Sequence, residues 1–222
     1  MAASAQPVCQ MPQPADIAII PRTAKLVVDT SASRQEISGQ SIDTINPYSY
    51  NKVTHTNGFM QGQLKVESRI KLDFSQIPQS SAFCVWYEKV EIVIDITPRI
   101  VIASEVAADK CKYDAVLTHE KKHVETDRVL INKFAKTVGH KVFEGLQQRG
   151  FVAGPVRAQD VEQIAARMRT TVNQLVDFEY KKFDIERAEA QQNIDTLKEY
   201  EYVQSKCASF NAPVGANRSS ND

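Results

Sequence analysis

The spacing of hydrophobic residues changes once along the chain, near residue 110. Before that point apolar and polar residues alternate, most clearly across 90–96, and a period of two predicts a strand that covers a core with one face. The same pattern predicts strands at 25–29 and 59–74. Pro98 is expected to end the strand at 90–96, and a separate strand is expected at 99–103.

After residue 112 the apolar positions recur at steps of three and four, which predicts helices. We expect one helix over 113–148, with a break near Gly139, then a loop at 150–155 and a second helix over 159–207. The predicted fold is therefore α+β, with an N-terminal antiparallel sheet followed by a long helical hairpin. It forms a single domain over 16–207, mainly β over 16–105 and mainly α over 112–207, between a flexible arm at 1–15 and a flexible tail at 208–222.

The first predicted helix contains His119-Glu120-Lys121-Lys122-His123, the H-E-x-x-H pattern of zinc-dependent peptidases. Two histidines four residues apart project from one helix face and can hold one metal ion between them. They share a stripe with the apolar residues of the helix, so they point inward, where buried polar groups need a partner. The pattern therefore favours a Zn²⁺ site over a solvated helix surface that spells the motif by chance.

A catalytic zinc takes three protein ligands and leaves one position for water. The second helix offers Glu186, on its apolar stripe, and Glu189, one turn further along nearly the same face. For either glutamate the alternative is a surface ion pair with Arg187 or a lysine. Asp127 lies one turn after His123, and we expect it to accept a hydrogen bond that orients a ligand histidine rather than to bind the metal.

Glu120 is then the general base that takes a proton from water before attack on a peptide carbonyl. A further hydrogen-bond donor for the developing oxyanion would come from Tyr180, Tyr200, Tyr202 or His140. The sequence thus predicts a zinc-dependent peptide-bond hydrolase acting on a peptide or protein. The alternative is a non-catalytic envelope or interaction protein with a structural or degenerate metal site.

The composition argues against nucleic acid and membranes as binding partners. Among 222 residues, 27 Lys and Arg balance 27 Asp and Glu, so the net charge of zero gives no electrostatic footprint for nucleic acid or an anionic membrane. No apolar run approaches the length of a membrane span.

Four cysteines without a C-x-x-C pair favour two disulfides in an oxidising compartment over four reduced, buried thiols. Of the three connectivities we favour Cys84 with Cys111, which joins the sheet to the motif helix, and Cys9 with Cys207, which ties the termini. The opening residues 1–6 look like a mature start after a small-residue cleavage site. A periplasmic or secreted protein whose signal peptide is absent from this chain is expected.

Two blocks of the sequence resemble a family of predicted secreted zinc-dependent proteases of bacteria, described as a domain of unknown function. The first block is 111–123, preceded by the strands of 84–102, and the second is 183–191. The family's histidine in the second block falls at Glu189, while Arg187 and Ala190 stand where the family has threonine and glycine. The resemblance implies a metallopeptidase-like fold and makes Glu189 the first choice for the third ligand.

Overall fold

The computed structural model describes residues 9–40 and 56–211. Residues 1–8 of the predicted arm and 212–222 of the predicted tail lie outside the described residues, as does the part of the strand-rich stretch at 41–55. The strands are β1 (Asp16–Thr23), β2 (Val27–Asp29), β3 (Gly58–Gln76), β4 (Ala82–Ile102) and β5 (Val152–Arg157). The α-helices are α1 (Arg34–Ser38), α2 (Ser104–Ala107), α3 (Lys110–Arg149), α4 (Val161–Gln192) and α5 (Leu197–Ser205).

Strands and long helices are both present, as the sequence predicts, but the sheet is not the antiparallel one that was expected. The long strand β4 pairs with each of the other four strands. Its pairing with β2 is parallel, with Val27 opposite Arg99, and its pairing with β5 is antiparallel, with Ala82 opposite Arg157. A parallel pair needs a long connection, and strand β3 and most of strand β4 lie between β2 and its partners at 99–101.

Pro98 does not end the strand, contrary to the prediction. The carbonyl of Ile96 accepts a hydrogen bond from Ala24 N at 2.8 Å, and Arg99 is already paired with Val27 of β2. Pro98 lies at this change of neighbour. Because a proline is tolerated in a sheet where its missing N–H is not needed, β4 continues through it.

Gly139 does not break α3 either. A Cβ atom on Gly139 would lie 2.8 Å from Cγ1 of Ile19 in β1, a distance that real Cβ atoms essentially never show. The glycine therefore permits a close approach of strand and helix, and α3 runs unbroken for 40 residues.

Two further boundaries differ from the prediction. The expected loop at 150–155 contains most of strand β5, which pairs with the start of β4. The expected second helix is two helices, because α4 ends at Gln192 and α5 begins at Leu197. Thr196 is the N-cap of α5, and its side chain accepts a hydrogen bond from Glu199 N at 3.2 Å.

Contacts divide the chain into two compact units, each of which takes residues from both the strand-rich and the helical stretch. The first unit comprises residues up to Arg22, Leu64–Asp95 and Leu130–Asp184, and the second comprises Thr23–Gln63, Ile96–Val129 and residues from Ile185 onward. Each unit thus contains a stretch of α3 and a stretch of α4. The single-domain boundaries expected from the sequence stay a prediction.

Each unit contains one disulfide, and neither matches the favoured pairing. Cys9 is bonded to Cys84 in the first unit, and Cys111 to Cys207 in the second. The prediction was wrong because pairing depends on which Cα atoms lie within about 7 Å of each other, and the spacing along the chain does not contain that information. Two disulfides are consistent with an extracellular or periplasmic protein. Over 9–40 and 56–211, no helix is long and apolar enough to cross a membrane.

Candidate metal centre

The core of the second unit sets the rotation of α3, and with it the direction of the motif. Val116 and Val124 of α3 are buried in a cluster with Phe59, Ile100 and other apolar residues. His119, Glu120 and His123 lie between these two valines on the same face of the helix, so burying the valines also buries the motif. All three side chains are almost completely inaccessible to solvent.

Strand β3 follows this face of the helix closely. A Cβ atom on Gly58 would lie 2.7 Å from Cγ1 of Val116, so only glycine fits there. Further along β3, the backbone N–H of Met60 donates a hydrogen bond to the Glu120 carboxylate. The strand thus reaches the motif by its backbone.

Three side chains of the second unit converge on one point. His119, His123 and Asp195 each offer one ligand atom, and these atoms all lie within 4.8 Å of one another. Asp195 Oδ1 is 3.1 Å from Nε2 of His119 and 3.2 Å from Nε2 of His123. Asp195 comes from the turn between α4 and α5, directly before the N-cap Thr196.

These distances fit a tetrahedral metal ion. Bonds of about 2.0–2.2 Å from a zinc ion to nitrogen and oxygen place neighbouring ligand atoms roughly 3.3 Å apart. The two separations from Asp195 Oδ1 are close to that value. A buried group of two imidazoles and a carboxylate can therefore hold a metal ion.

His123 is held by an amide. Its Nδ1 lies 2.5 Å from Oε1 of Gln191 on α4. The Nε2 of the same amide donates to the backbone carbonyl of His123 at 3.2 Å and to Oδ1 of Asp127 at 2.6 Å. Asp127 in turn accepts two hydrogen bonds from Arg187, at 2.7 and 3.0 Å. Asp127 therefore supports His123 through Gln191, whereas the sequence suggested a direct hydrogen bond.

His119 is held by a carboxylate. Its Nδ1 is 3.4 Å from Oε1 of Glu199 on α5, and Lys122 Nζ donates to the same oxygen at 2.5 Å. Burial acts to raise the pKa of Glu199, but the hydrogen bonds from Lys122 and His119 outweigh it, so the pKa is lowered. Glu199 is therefore ionised at neutral pH beside His119.

Each histidine faces an oxygen acceptor at both ring nitrogens, and this arrangement attracts positive charge. Burial acts to lower the pKa of both rings, but the hydrogen bond to Asp195 and the charge of Glu120 prevail, so both pKa values are raised. The ring centroids are only 5.1 Å apart, so two imidazolium ions would repel each other strongly in this buried site. A single cation between the Nε2 atoms supplies positive charge without that repulsion.

Glu120 is buried next to the three ligand side chains. Burial raises its pKa to about 7, against the opposing effect of the two histidines. A carboxyl group with a pKa near the working pH can both accept and return a proton, which is what general acid–base catalysis requires.

The third ligand predicted from the sequence is not the one that the structure brings to the histidines. Glu189 is exposed and Glu186 half-buried, and neither belongs to the group that converges. Gln191 occupies the position on α4 that faces His123. The carboxylate comes instead from Asp195, which lies beyond the end of α4.

Sequence reasoning missed Asp195, Gln191 and Glu199. One signal was present for two of them. Thr196-Leu197-Lys198-Glu199 has the S/T-x-x-E spacing of a helix N-terminus, and it marks a new helix inside the stretch that was predicted to be continuous. A turn directly before that start frees Asp195 from the helix and lets its side chain reach the motif.

Of the four oxyanion candidates, Tyr200 is the one that lies beside the metal centre. Its ring contacts His119 edge-on, with centroids 5.6 Å apart. Tyr180 packs with Phe134 and Phe183 in the first unit. Tyr202 contacts Lys122 and Lys206 through its exposed ring, and His140 Nε2 lies 2.9 Å from Oε1 of Glu144 at the surface.

Comparison of the chain with family models, with curated proteins and with solved structures gives no match. The resemblance to secreted zinc-dependent proteases therefore stays a prediction that depends on the two sequence blocks.

Proposed function

We propose that the protein is a zinc-dependent peptide-bond hydrolase of an oxidising compartment, either periplasmic or secreted. His119, His123 and Asp195 would bind the ion, and Glu120 would act as the general base. The observation that supports this most strongly is the set of three ligand atoms with a buried carboxylate beside it. Three protein ligands are typical of catalytic zinc sites, whereas structural sites usually have four.

Zinc is the metal that this ligand set favours. Imidazole and carboxylate ligands in a compact, four-coordinate arrangement suit Zn²⁺, while Mg²⁺ and Ca²⁺ prefer six or more oxygen ligands. The H-E-x-x-H spacing points to the same ion.

The residues around the ion have separate tasks in this proposal. A Zn²⁺ ion held by these residues would supply Lewis acidity, which would lower the pKa of water and polarise a carbonyl group. Glu120 takes the proton from the attacking water, holds it, and gives it to the amine that leaves. Tyr200, whose ring contacts His119, would be the donor of a hydrogen bond to the oxyanion.

A second candidate is a non-catalytic envelope or interaction protein in which the ion holds α3 to α5. The observation that favours it is the depth of the site, since each of the three ligands is less than 10% exposed. A hydrolase must admit a substrate to its metal, whereas a structural ion benefits from exclusion of water.

Glu120→Gln separates the two functions. In the hydrolase the variant keeps Zn²⁺ and loses about 10²–10⁴-fold in cleavage rate, the usual contribution of general acid–base catalysis. We would measure bound zinc by elemental analysis and cleavage with a pool of fluorescence-quenched random peptides. Equal cleavage by the variant and the natural protein would exclude Glu120 as the base.

Glu125→Gln is the matched control. Glu125 lies on the same helix, its side chain is 66% exposed, and it forms an ion pair with Arg128 at 3.5 Å. It should leave both zinc content and cleavage unchanged. Zinc binding without cleavage of any peptide in the pool by the natural protein would favour the structural role.

A further inference from the structure

We propose that Gln191 is the positioning residue of His123, and that its amide sets which ring nitrogen of that histidine faces the metal ion. The inference rests on the proposed metal site, but not on hydrolysis. The neutral amide of Gln191 donates a hydrogen bond to Asp127, which is itself bound by Arg187, and it keeps the histidine in one orientation and one tautomer.

The orientation of the amide follows from its neighbours. Its nitrogen lies between Asp127 Oδ1 and the carbonyl of His123, both of which only accept hydrogen bonds. The reverse orientation would place the amide oxygen against two acceptors. Gln191 Oε1 must therefore face the histidine ring.

The tautomer of His123 follows in turn. Because Oε1 of Gln191 accepts, Nδ1 of His123 must carry the proton that it donates across 2.5 Å. In the neutral ring the lone pair then belongs to Nε2, the nitrogen that lies 3.2 Å from Asp195 Oδ1. The metal-facing nitrogen is thus set by a residue on the facing helix.

Asp127 and Arg187 hold the amide in place. Asp127 is only 1% exposed, and it accepts hydrogen bonds from both Arg187 and Gln191. A buried carboxylate without a cationic partner would be costly, and the two hydrogen bonds from Arg187 offset that cost for Asp127. Strand β3 follows the pair closely, since a Cβ atom on Gly62 would lie 3.1 Å from Asp127 Oδ2.

Two substitutions test the amide by itself. Gln191→Leu removes both hydrogen-bonding functions, and Gln191→Glu places a second carboxylate 2.6 Å from Asp127 Oδ1. Each should lower the affinity for Zn²⁺ about 10–100-fold, the usual effect of losing a partner of a metal-bound histidine. The measurement is a titration of the metal-free full chain with Zn²⁺ against a chelating indicator.

A variant of matched length distinguishes positioning from simple damage to the fold. Gln191→Met keeps the length of the side chain but cannot replace the amide oxygen that faces His123 Nδ1. It should lose zinc affinity like Gln191→Leu while its circular dichroism spectrum stays that of the natural protein. Natural zinc affinity in the folded Gln191→Met variant would overturn the proposed role.

A spectroscopic measurement reports the tautomer directly. Long-range ¹H–¹⁵N spectra of the zinc-loaded protein should show the His123 proton on Nδ1 and the metal at Nε2. Metal at Nδ1 would overturn the inference whatever the affinities are. Gln174→Leu, at an exposed position of the same helix, is the matched control and should bind Zn²⁺ like the natural protein.

The outcomes separate this inference from the proposed function. Zinc affinity that is unchanged in Gln191→Leu overturns the positioning role and leaves the hydrolase untouched. Weakened zinc binding in Gln191→Leu, together with no peptide cleavage by the natural protein, supports the positioning role and overturns the hydrolase. A natural chain that does not bind Zn²⁺ overturns both.

Discussion

The helices α3 and α4 face each other in both units, with opposite chemistry. In the first unit the contact is apolar, with Phe134 packed on Phe183 at 4.6 Å between ring centroids. In the second unit the facing residues are polar, with Asp127 on Arg187 and His123 on Gln191. Burying polar groups gains little stability over a well-packed apolar contact, so the polar stretch indicates selection for a task other than holding the helices together.

The largest effect is expected from a substitution in the polar, metal-binding unit. Asp195→Asn removes the only carboxylate of the converging group, so zinc affinity should fall by more than the roughly 10–100-fold expected for a supporting residue. Zn²⁺ at 100 times its dissociation constant should raise the free energy of unfolding of the natural protein by about 2.7 kcal/mol. The variant should gain almost nothing at that concentration.

Chemical denaturation with and without Zn²⁺ measures this difference. Asp184→Asn, an exposed aspartate near the end of the first unit's stretch of α4, is the control and should respond to zinc like the natural protein. Equal stabilisation of the Asp195 variant would exclude Asp195 as a ligand.

The next largest effect is expected from a substitution in the apolar contact between α3 and α4 in the first unit. Phe134→Ala should lower the free energy of unfolding by about 3–5 kcal/mol, the usual cost of removing a buried phenylalanine ring. The zinc affinity of the folded variant should be close to that of the natural protein, because no ligand or supporting residue is touched. Urea unfolding and zinc titration measure the two quantities.

Phe178→Ala is the control for this change. Phe178 is 58% exposed and its ring lies 4.0 Å from Lys182 Nζ, so its removal should cost only about 0.5–1 kcal/mol. If Phe134→Ala weakened zinc binding as much as Asp195→Asn does, the division of the helix pair into two chemical stretches would be wrong.

The smallest effect is expected from Lys122→Met, which compares an exposed supporting residue of the metal centre with the buried Gln191. Lys122→Met removes the surface partner of Glu199, which supports His119. Because the Lys122 side chain is 44% exposed, the loss of stability should stay within about 0–1 kcal/mol. Zinc affinity should fall less than in Gln191→Leu, whose position is buried. Lys121→Met is the control. A larger loss of zinc affinity in Lys122→Met than in Gln191→Leu would show that the burial of a supporting residue does not determine its effect on metal binding.

The local pattern of apolar and polar residues was sufficient to predict features that depend on a single helix or strand. The period of the residues predicted strand β3, the long motif helix and the inward direction of His119 and His123. It did not predict that β4 passes through Pro98 or that α3 passes through Gly139, because both depend on neighbouring chain. Whether the missing N–H of Pro98 or the missing Cβ of Gly139 disturbs its element depends on the chain segment that packs against it.

The third ligand could not be found by helix periodicity. Glu189 and Glu186 were chosen because one continuous helix was assumed, and a helix can present only its own face. Asp195 reaches the histidines because the chain turns at 193–196 before α5 begins. The disulfide pairing failed for a related reason, since four cysteines permit three pairings and only the folded chain distinguishes them.

The bond between Cys111 and Cys207 closes a ring of chain, with a sequence separation of 96, that contains His119, His123 and Asp195. In the loop-closure account, a cross-link of that span removes chain entropy worth about 4–5 kcal/mol from the unfolded protein. An ion that joins His123 to Asp195 closes a smaller loop nested inside that ring, so each closure makes the other less costly. Coupling of this kind is reciprocal: oxidation would strengthen the binding of the ion, and a bound ion would protect the disulfide from reductants.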